Sequence, residues 1–119
     1  MANTLDQPGE QPLAVVVGRQ LSSVEFIQDY LQFRFDGACL TAITHPRVKV
    51  GEAWFEWGTP GYRDQLCDRI KKVVTRAAVS EGREICIKFD DGACISISLR
   101  PDDYRAAEAA IFDSRGSHI

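Results

Sequence analysis

The sequence predicts an α+β fold: a mainly antiparallel sheet, or a partly closed barrel, built from two duplicated β-meanders with one amphipathic helix packed on it. Two observations carry this reading. One hairpin is written twice, as L-Q-F-R-F-D-G-A-C-L-T-A-I over 31–43 and as I-C-I-K-F-D-D-G-A-C-I-S-I-S over 85–98. Each copy has apolar residues at period two, an Asp-Gly turn and a second alternating run, the pattern of a half-buried antiparallel pair. Between the copies, Tyr62, Leu66 and Ile70 recur at i, i+4 and i+8, the spacing of a single helix face.

The elements follow in chain order. Residues 1–12 are polar, with two prolines, and read as a disordered arm; 13–112 form one α+β domain; 113–119 read as a disordered tail. The repeat copies span about 18–43 and 71–99. A two-residue loop at Asp36-Gly37 pairs Phe35 with Ala38, Phe33 with Leu40 and Leu31 with Ala42, placing all six on one face. The same loop length in the second copy would set Lys88 against Ile95. A three-residue loop, Asp90-Asp91-Gly92, restores the register and pairs Phe89 with Ala93, Ile87 with Ile95 and Ile85 with Ile97. That loop is a type I turn followed by a bulge with Gly92 left-handed. Upstream, Leu21, Val24 and Phe26 lie over Val74, Ala77 and Val79, and Gln28-Asp29 matches the turn signal Ser80-Glu81-Gly82-Arg83, so each copy becomes a three-stranded meander.

The segment 47–70 interrupts the repeat and reads as an aromatic strand–helix insert. Residues 47–50 and 53–57 are strand-like around a Gly51-Glu52 turn. Thr59 is an N-cap candidate with Pro60 in the first turn of a helix over 60–70, and Arg69, Lys71 and Lys72 suit its C-terminal end. Beyond Pro101, the alanines of 101–112 favour a second short helix, with Asp102 and Asp103 in its first turn.

Composition narrows the function. With 14 basic and 17 acidic residues the net charge is −3, so composition gives no electrostatic footprint for nucleic acid. The apolar run 13–17 is too short for a signal-peptide core or a membrane span, which points to a cytoplasmic protein without membrane contact. In that compartment the four cysteines are expected to be reduced thiols. They lack a ligand spacing, and Cys94 falls diagonal to Cys86 on the face away from Ile85 and Ile87. Packing as small hydrophobes is the expectation, with no disulfide, no metal and no cofactor.

Catalytic chemistry finds little support. His118 lies in the tail, His45 precedes Pro46 at a strand exit, and no triad order or phosphate-binding glycine loop is present. Asp90-Asp91 is accounted for by the turn. Asp29 beside Tyr30 reads as a turn aspartate with a partly buried tyrosine, a pair that can also line a pocket. The strongest candidates are Trp54, Trp57 and Tyr62 with Arg63, since tryptophan, tyrosine and arginine are the usual interface anchors. Strand alternation sends Trp54 and Trp57 to opposite sides, so at least one indole needs covering by the helix or by a partner.

The strings G-R-Q-L-S-S-V-E-F-I-Q-D-Y-L-Q-F-R-F-D-G, P-G-Y-R-D-Q-L-C, F-D-D-G-A and R-P-D-D-Y resemble small bacterial proteins of unknown function with twin F-D-G hairpins. The resemblance covers about 18–104 and is architectural. It implies a bacterial cytosolic protein and assigns no activity or functional residue. The expectation is a non-enzymatic binding or protein-interaction module. It would act on a protein or small-molecule ligand, with a homodimer as one candidate assembly. Alternatives are an immunity- or antitoxin-like partner protein, and a small hydrolase-type enzyme.

Overall fold

Alternation in the two meanders produces two five-stranded antiparallel sheets with one hydrophobic core between them. The protein is described from a computed structural model covering residues 2–4, 12–104 and 108–114. Its strands are β1 (Ala2–Thr4), β2 (Ser23–Ile27), β3 (Tyr30–Phe35), β4 (Ala38–Ala42), β5 (Arg47–Val50), β6 (Ala53–Phe55), β7 (Val74–Ser80), β8 (Glu84–Phe89), β9 (Cys94–Ser98) and β10 (Ala110–Asp113). One helix, α1, spans Tyr62–Cys67, and 3-10 turns occupy Pro12–Val16 and Pro101–Asp103. The first sheet runs β1-β10-β4-β3-β2 and the second β6-β5-β9-β8-β7. Both sheets are open, so the barrel alternative is replaced by two facing layers. Among the described residues no helix is long and apolar enough to cross a membrane.

Both hairpins take the register that the sequence dictates. Phe35 pairs with Ala38, Phe33 with Leu40 and Leu31 with Ala42. Asp36 and Gly37 both have positive φ, at 47° and 102°, the pair of values a type I′ turn requires. In the second copy Ile85 pairs with Ile97 and Ile87 with Ile95. The loop closes with Phe89 N–H donating to Ala93 O and Gly92 N–H to Phe89 O, both at 2.9 Å, and Gly92 has φ +88°. The upstream match also holds: Val24 faces Phe33 and Phe26 faces Leu31, as Ala77 faces Ile87 and Val79 faces Ile85. Each copy is thus a meander, β2-β3-β4 or β7-β8-β9.

The strands that follow the meanders trade places. β5 comes after β4 in sequence yet pairs with β9, and β10 comes after β9 yet pairs with β4. The registers correspond, with Val48 opposite Ile95 and Phe112 opposite Leu40. The hairpin β5-β6 is therefore the counterpart of β10 and β1, and not an interruption of the repeat. The lead segments of the meanders also join, through Gln20 opposite Val73 and Leu21 N–H donating to Lys72 O at 3.1 Å.

Several boundaries are corrected. α1 begins after Gly61, because Thr59 Oγ1 is spent closing the preceding turn onto the Glu56 N–H at 2.8 Å and the Glu56 carbonyl. It ends at Cys67, where i→i−3 bonds from Arg69 and Ile70 replace the α pattern and Lys71 turns left-handed. The second strand of the insert stops at Phe55. Among the described residues of the helix expected over 101–112, 101–103 form a 3-10 turn and β10 takes 110–112, because β4 offers an unpaired edge and tertiary pairing overrides the helix preference of Ala110. Ala2–Thr4, expected in a disordered arm, pairs with β10, and Asp113 is buried within that strand. The rest of the expected arm (5–11) and of the expected tail (115–119, including His118) lies outside the described residues.

The core holds Phe33, Phe35, Leu40 and Phe112 from the first sheet, Ile85, Ile87, Phe89 and Ile95 from the second, and Tyr62 and Leu66 from α1. Each fully buried Leu, Ile or Phe side chain contributes about 1.5–3 kcal/mol. An exposed pair such as Arg34–Glu25, at 3.0 Å, contributes about 0–1 kcal/mol, so burial decides the fold. One polar contact joins this framework from inside. The Arg69 guanidinium is buried, donates to Asp91 Oδ2 at 2.6 Å and to Gln65 O at 3.1 Å, while Asp91 Oδ1 accepts from Ala93 N–H at 3.0 Å. The extra aspartate of the second turn thus sets the register and also pins α1 to the β8–β9 hairpin.

Two outcomes are expected in urea titration. A Cβ at Gly92 would meet nothing within 4 Å, so Gly92→Ala should cost about 1 kcal/mol through backbone strain alone; unchanged stability would contradict the left-handed turn. Asp91→Ala strands a buried guanidinium and should cost about 1.5–3 kcal/mol, with Asp90→Ala as the near-neutral comparison.

Candidate functional site

Because β-strand side chains alternate, each sheet has an outer face fixed by the same registers that fill the core. On the second sheet one outer row reads Arg76, Lys88, Cys94, Lys49, Trp54, and the next reads Ala78, Cys86, Ser96, Arg47. At the end of these rows lies a cleft of about 540 Å³, with Ser96 and Ser98 as its floor and Arg47, Arg83 and Arg100 in its walls. Among the described residues none of these six cations (Arg47, Lys49, Arg76, Arg83, Lys88, Arg100) makes an ion pair with a carboxylate. Trp54 is 42% exposed and is capped by cations, with the Arg47 guanidinium 4.3 Å and the Lys49 ammonium 5.7 Å from its ring.

The first sheet shows what the duplicated scaffold looks like without this face. There Arg34 stands opposite Cys39 as Lys88 stands opposite Cys94, and Asp113 occupies the place of Lys49. Glu25, the counterpart of Ala78, takes the Arg34 guanidinium at 3.0 Å. In the second copy the two acids are thus an alanine and a lysine. The loss of both leaves the basic row without a local partner.

Within the cleft the acids are held by the serines: Ser96 Oγ donates to Glu84 Oε1 at 2.7 Å and Ser98 Oγ to Asp103 Oδ2 at 2.5 Å. The Thr44 hydroxyl, in the cleft wall, is the buried side-chain oxygen without a partner among the described residues. His45 borders the same cleft, and its Nε2 lies 2.9 Å from the Asp29 carbonyl. A carbonyl only accepts, so Nε2 carries the proton there and is not a free base.

The remaining sequence candidates gather on the other side of the insert. Trp57, 39% exposed, stacks on His45 with centroids 3.8 Å apart and planes 9° apart. Tyr62 meets Trp57 edge-on at 6.1 Å, and Arg63 lies 5.7 Å from the Trp57 ring and 5.4 Å from Phe26. Tyr62 itself belongs to the core: its hydroxyl donates to Pro46 O at 2.6 Å, and burial pushes its phenol well above the usual range. Asp29 reaches this group through its carbonyl, while Tyr30 is half-buried opposite Ile27. The structure therefore unites Trp57, Tyr62, Arg63 and Asp29 around His45 and leaves Trp54 apart, on the basic face. α1 buries Tyr62 and Leu66, touches Trp57 through Tyr62 and Arg63, and leaves both indoles partly exposed.

The cysteines divide into two kinds. Burial raises the Cys39 and Cys67 thiols above their ordinary value. Cys86 and Cys94 sit on the basic face with sulfurs 2.8 Å apart. A hydrogen bond from Cys94 lowers the Cys86 thiol to about 7, and the same contact raises that of Cys94. Among the described residues there is no group of three or more His, Cys, Asp or Glu that could hold a metal ion.

Sequence reasoning missed Lys49, Arg76, Arg83, Lys88 and Arg100. For Arg76, Lys88 and Lys49 the signal lies in the outward positions of β7, β8 and β5, and Arg83 and Arg100 flank β8 and β9; these become a patch only once β5 is known to pair with β9. Comparison with protein-family models, with curated proteins and with solved structures finds no match for the chain.

The thiols give a test of the local electrostatics. Alkylation of Cys86 by iodoacetamide should rise as the pH passes about 7, because the thiolate is the reactive form and accumulates above that point, with Cys39 and Cys67 slow until more alkaline pH. Equal rates at all sites in peptide-mapped alkylation would contradict the assignment.

Proposed function

We propose that the protein is a non-enzymatic binding module that receives an acidic segment of a partner protein on the outer face of its second sheet. The observation that carries this is the row of cations that, among the described residues, makes no ion pair with a carboxylate, beside a cation-capped, exposed Trp54. A guanidinium without a carboxylate partner is suited to bidentate recognition of one, and an exposed tryptophan is the residue type that most often anchors an interface. Glu56, Glu84 and Asp103 border the cleft as well, which makes the face mixed in charge. Those acids lie at the cleft end, and the acidic segment would follow the Arg76, Lys88 and Lys49 row away from it. A nucleic-acid strand would be expected to stack on several aromatics in succession, and this face offers one. The hydrolase alternative draws less support, since the His45 Nε2 in the cleft wall is held as a donor to the Asp29 carbonyl.

The test uses polyglutamate as the probe, with polylysine and a single-stranded oligonucleotide as comparisons, read by isothermal titration calorimetry. Polyglutamate should bind, weaken as salt is raised, and lose about tenfold or more in affinity in Trp54→Ala without a change in urea midpoint. Equal response to polyglutamate and polylysine would overturn the reading. Tighter binding of the oligonucleotide would overturn it in favour of a nucleic-acid ligand.

A further inference from the structure

The pair Cys86–Cys94 has no equivalent elsewhere in the described residues. β8 and β9 place Cys86 opposite Ser96 and Lys88 opposite Cys94, so the two thiols are diagonal neighbours on one outer face. In the first meander the corresponding positions hold Gln32 and Cys39, and Gln32 instead donates Nε2 to Thr41 Oγ1 at 3.2 Å. Both cysteines of the pair are half-buried. The 2.8 Å separation of their sulfurs is about 0.8 Å longer than the ~2.05 Å of a disulfide bond. The surroundings favour attack by Cys86. The two sulfurs share a hydrogen bond, Arg76 and Lys88 oppose the charge of Glu84, and Lys49 stands beside Cys94 on the neighbouring strand.

We propose that Cys86 and Cys94 form a reversible intramolecular disulfide by exchange with a small anionic disulfide. The Cys86 thiolate, its proton released to solvent, attacks one sulfur of the incoming disulfide. That S–S bond breaks, and the first small thiolate leaves and takes up a proton. Cys94 then releases its proton to solvent, and its sulfur attacks the Cys86 sulfur, breaking the mixed disulfide and expelling the second small thiolate, which is protonated in turn. Two protein thiols are oxidised and one small disulfide is reduced to two thiols. The cations Arg76, Lys88 and Lys49 give carboxylate-bearing disulfides a higher local concentration than neutral ones. This chemistry stands on the sulfur geometry and is independent of the docking reading.

The experiment equilibrates the full chain with glutathione and its disulfide, alkylates the free thiols and digests with trypsin, which cuts after Lys88 and so separates the two cysteines. The expected product is one cross-linked peptide pair joining Cys86 to Cys94, with Cys39 and Cys67 recovered alkylated. In Cys94→Ser, Cys86 should stop at the mixed disulfide with glutathione. The wild-type cross-link needs no variant and stands as the primary readout. At low salt, oxidised glutathione should react about tenfold faster than neutral hydroxyethyl disulfide, an advantage lost near ~1 M salt, where the screening length falls to about 3 Å. Four alkylated thiols under fully oxidising conditions, or a link through Cys39 or Cys67, would overturn the proposal. Equal rates with the two reagents at low salt would overturn the preference for an anionic substrate.

Discussion

The backbone hydrogen bonds between β5 and β9 and between β10 and β4 hold each meander to the strand that follows the other one. Without β10, β4 would be a sheet edge, although all five of its residues are buried. Without β5, the same would be true of β9 on its Ser96 side. An exposed edge of that composition is a template for unwanted pairing, and the exchange removes both at once. It also explains why a single core forms. Val48 and Phe112 enter from the crossing strands, so the layers cannot part without breaking ladder hydrogen bonds as well as apolar contact. Tyr62 reinforces the crossing between β4 and β5 by bonding the Pro46 carbonyl from the helix side.

The two meanders present two outer faces of the same register, and a few residue differences make them chemically distinct. On the first, Arg34 is neutralised by Glu25, and Cys39 and Asp113 are buried. On the second, alanine and lysine replace the two acids, and a cysteine stands in the place of Gln32. The core is unaffected, since every one of these positions points away from it. A face altered in this way keeps the precision of a rigid five-stranded support, which a loop-borne site would lack.

Sequence legibility followed interaction range. Turn lengths were readable because a one-residue slip would set Lys88 against Ile95, and that local conflict admits only one resolution. The lead strands were readable from the match of Val24 and Phe26 to Ala77 and Val79. β10 was misread as helix because Ala109 and Ala110 carry local helix preference, while the partner that overrides it, β4, lies far away in sequence. The residue types of the aromatic insert mark it as a binding surface; that Trp54 belongs with Lys88 and Arg76 follows from β5–β9 pairing, which no local pattern encodes. The sulfur pair was legible as a diagonal and was read as packing, because the distance between the two sulfurs depends on the twist of the strands.

The exchanged strands also set an order of assembly. The turns at Asp36-Gly37 and Asp90-Asp91-Gly92 close over two and three residues, and hairpins of this kind form in about 1–10 μs. Closing Arg47 onto Ser96, or Ala110 onto Ala42, requires bringing together distant chain segments and carries a larger entropy cost. During synthesis Ala42 leaves the ribosome well before Ala110, so the first sheet waits with β4 uncovered while the second is being made. That interval is the stage at which a nascent chain of this design is most exposed to aggregation.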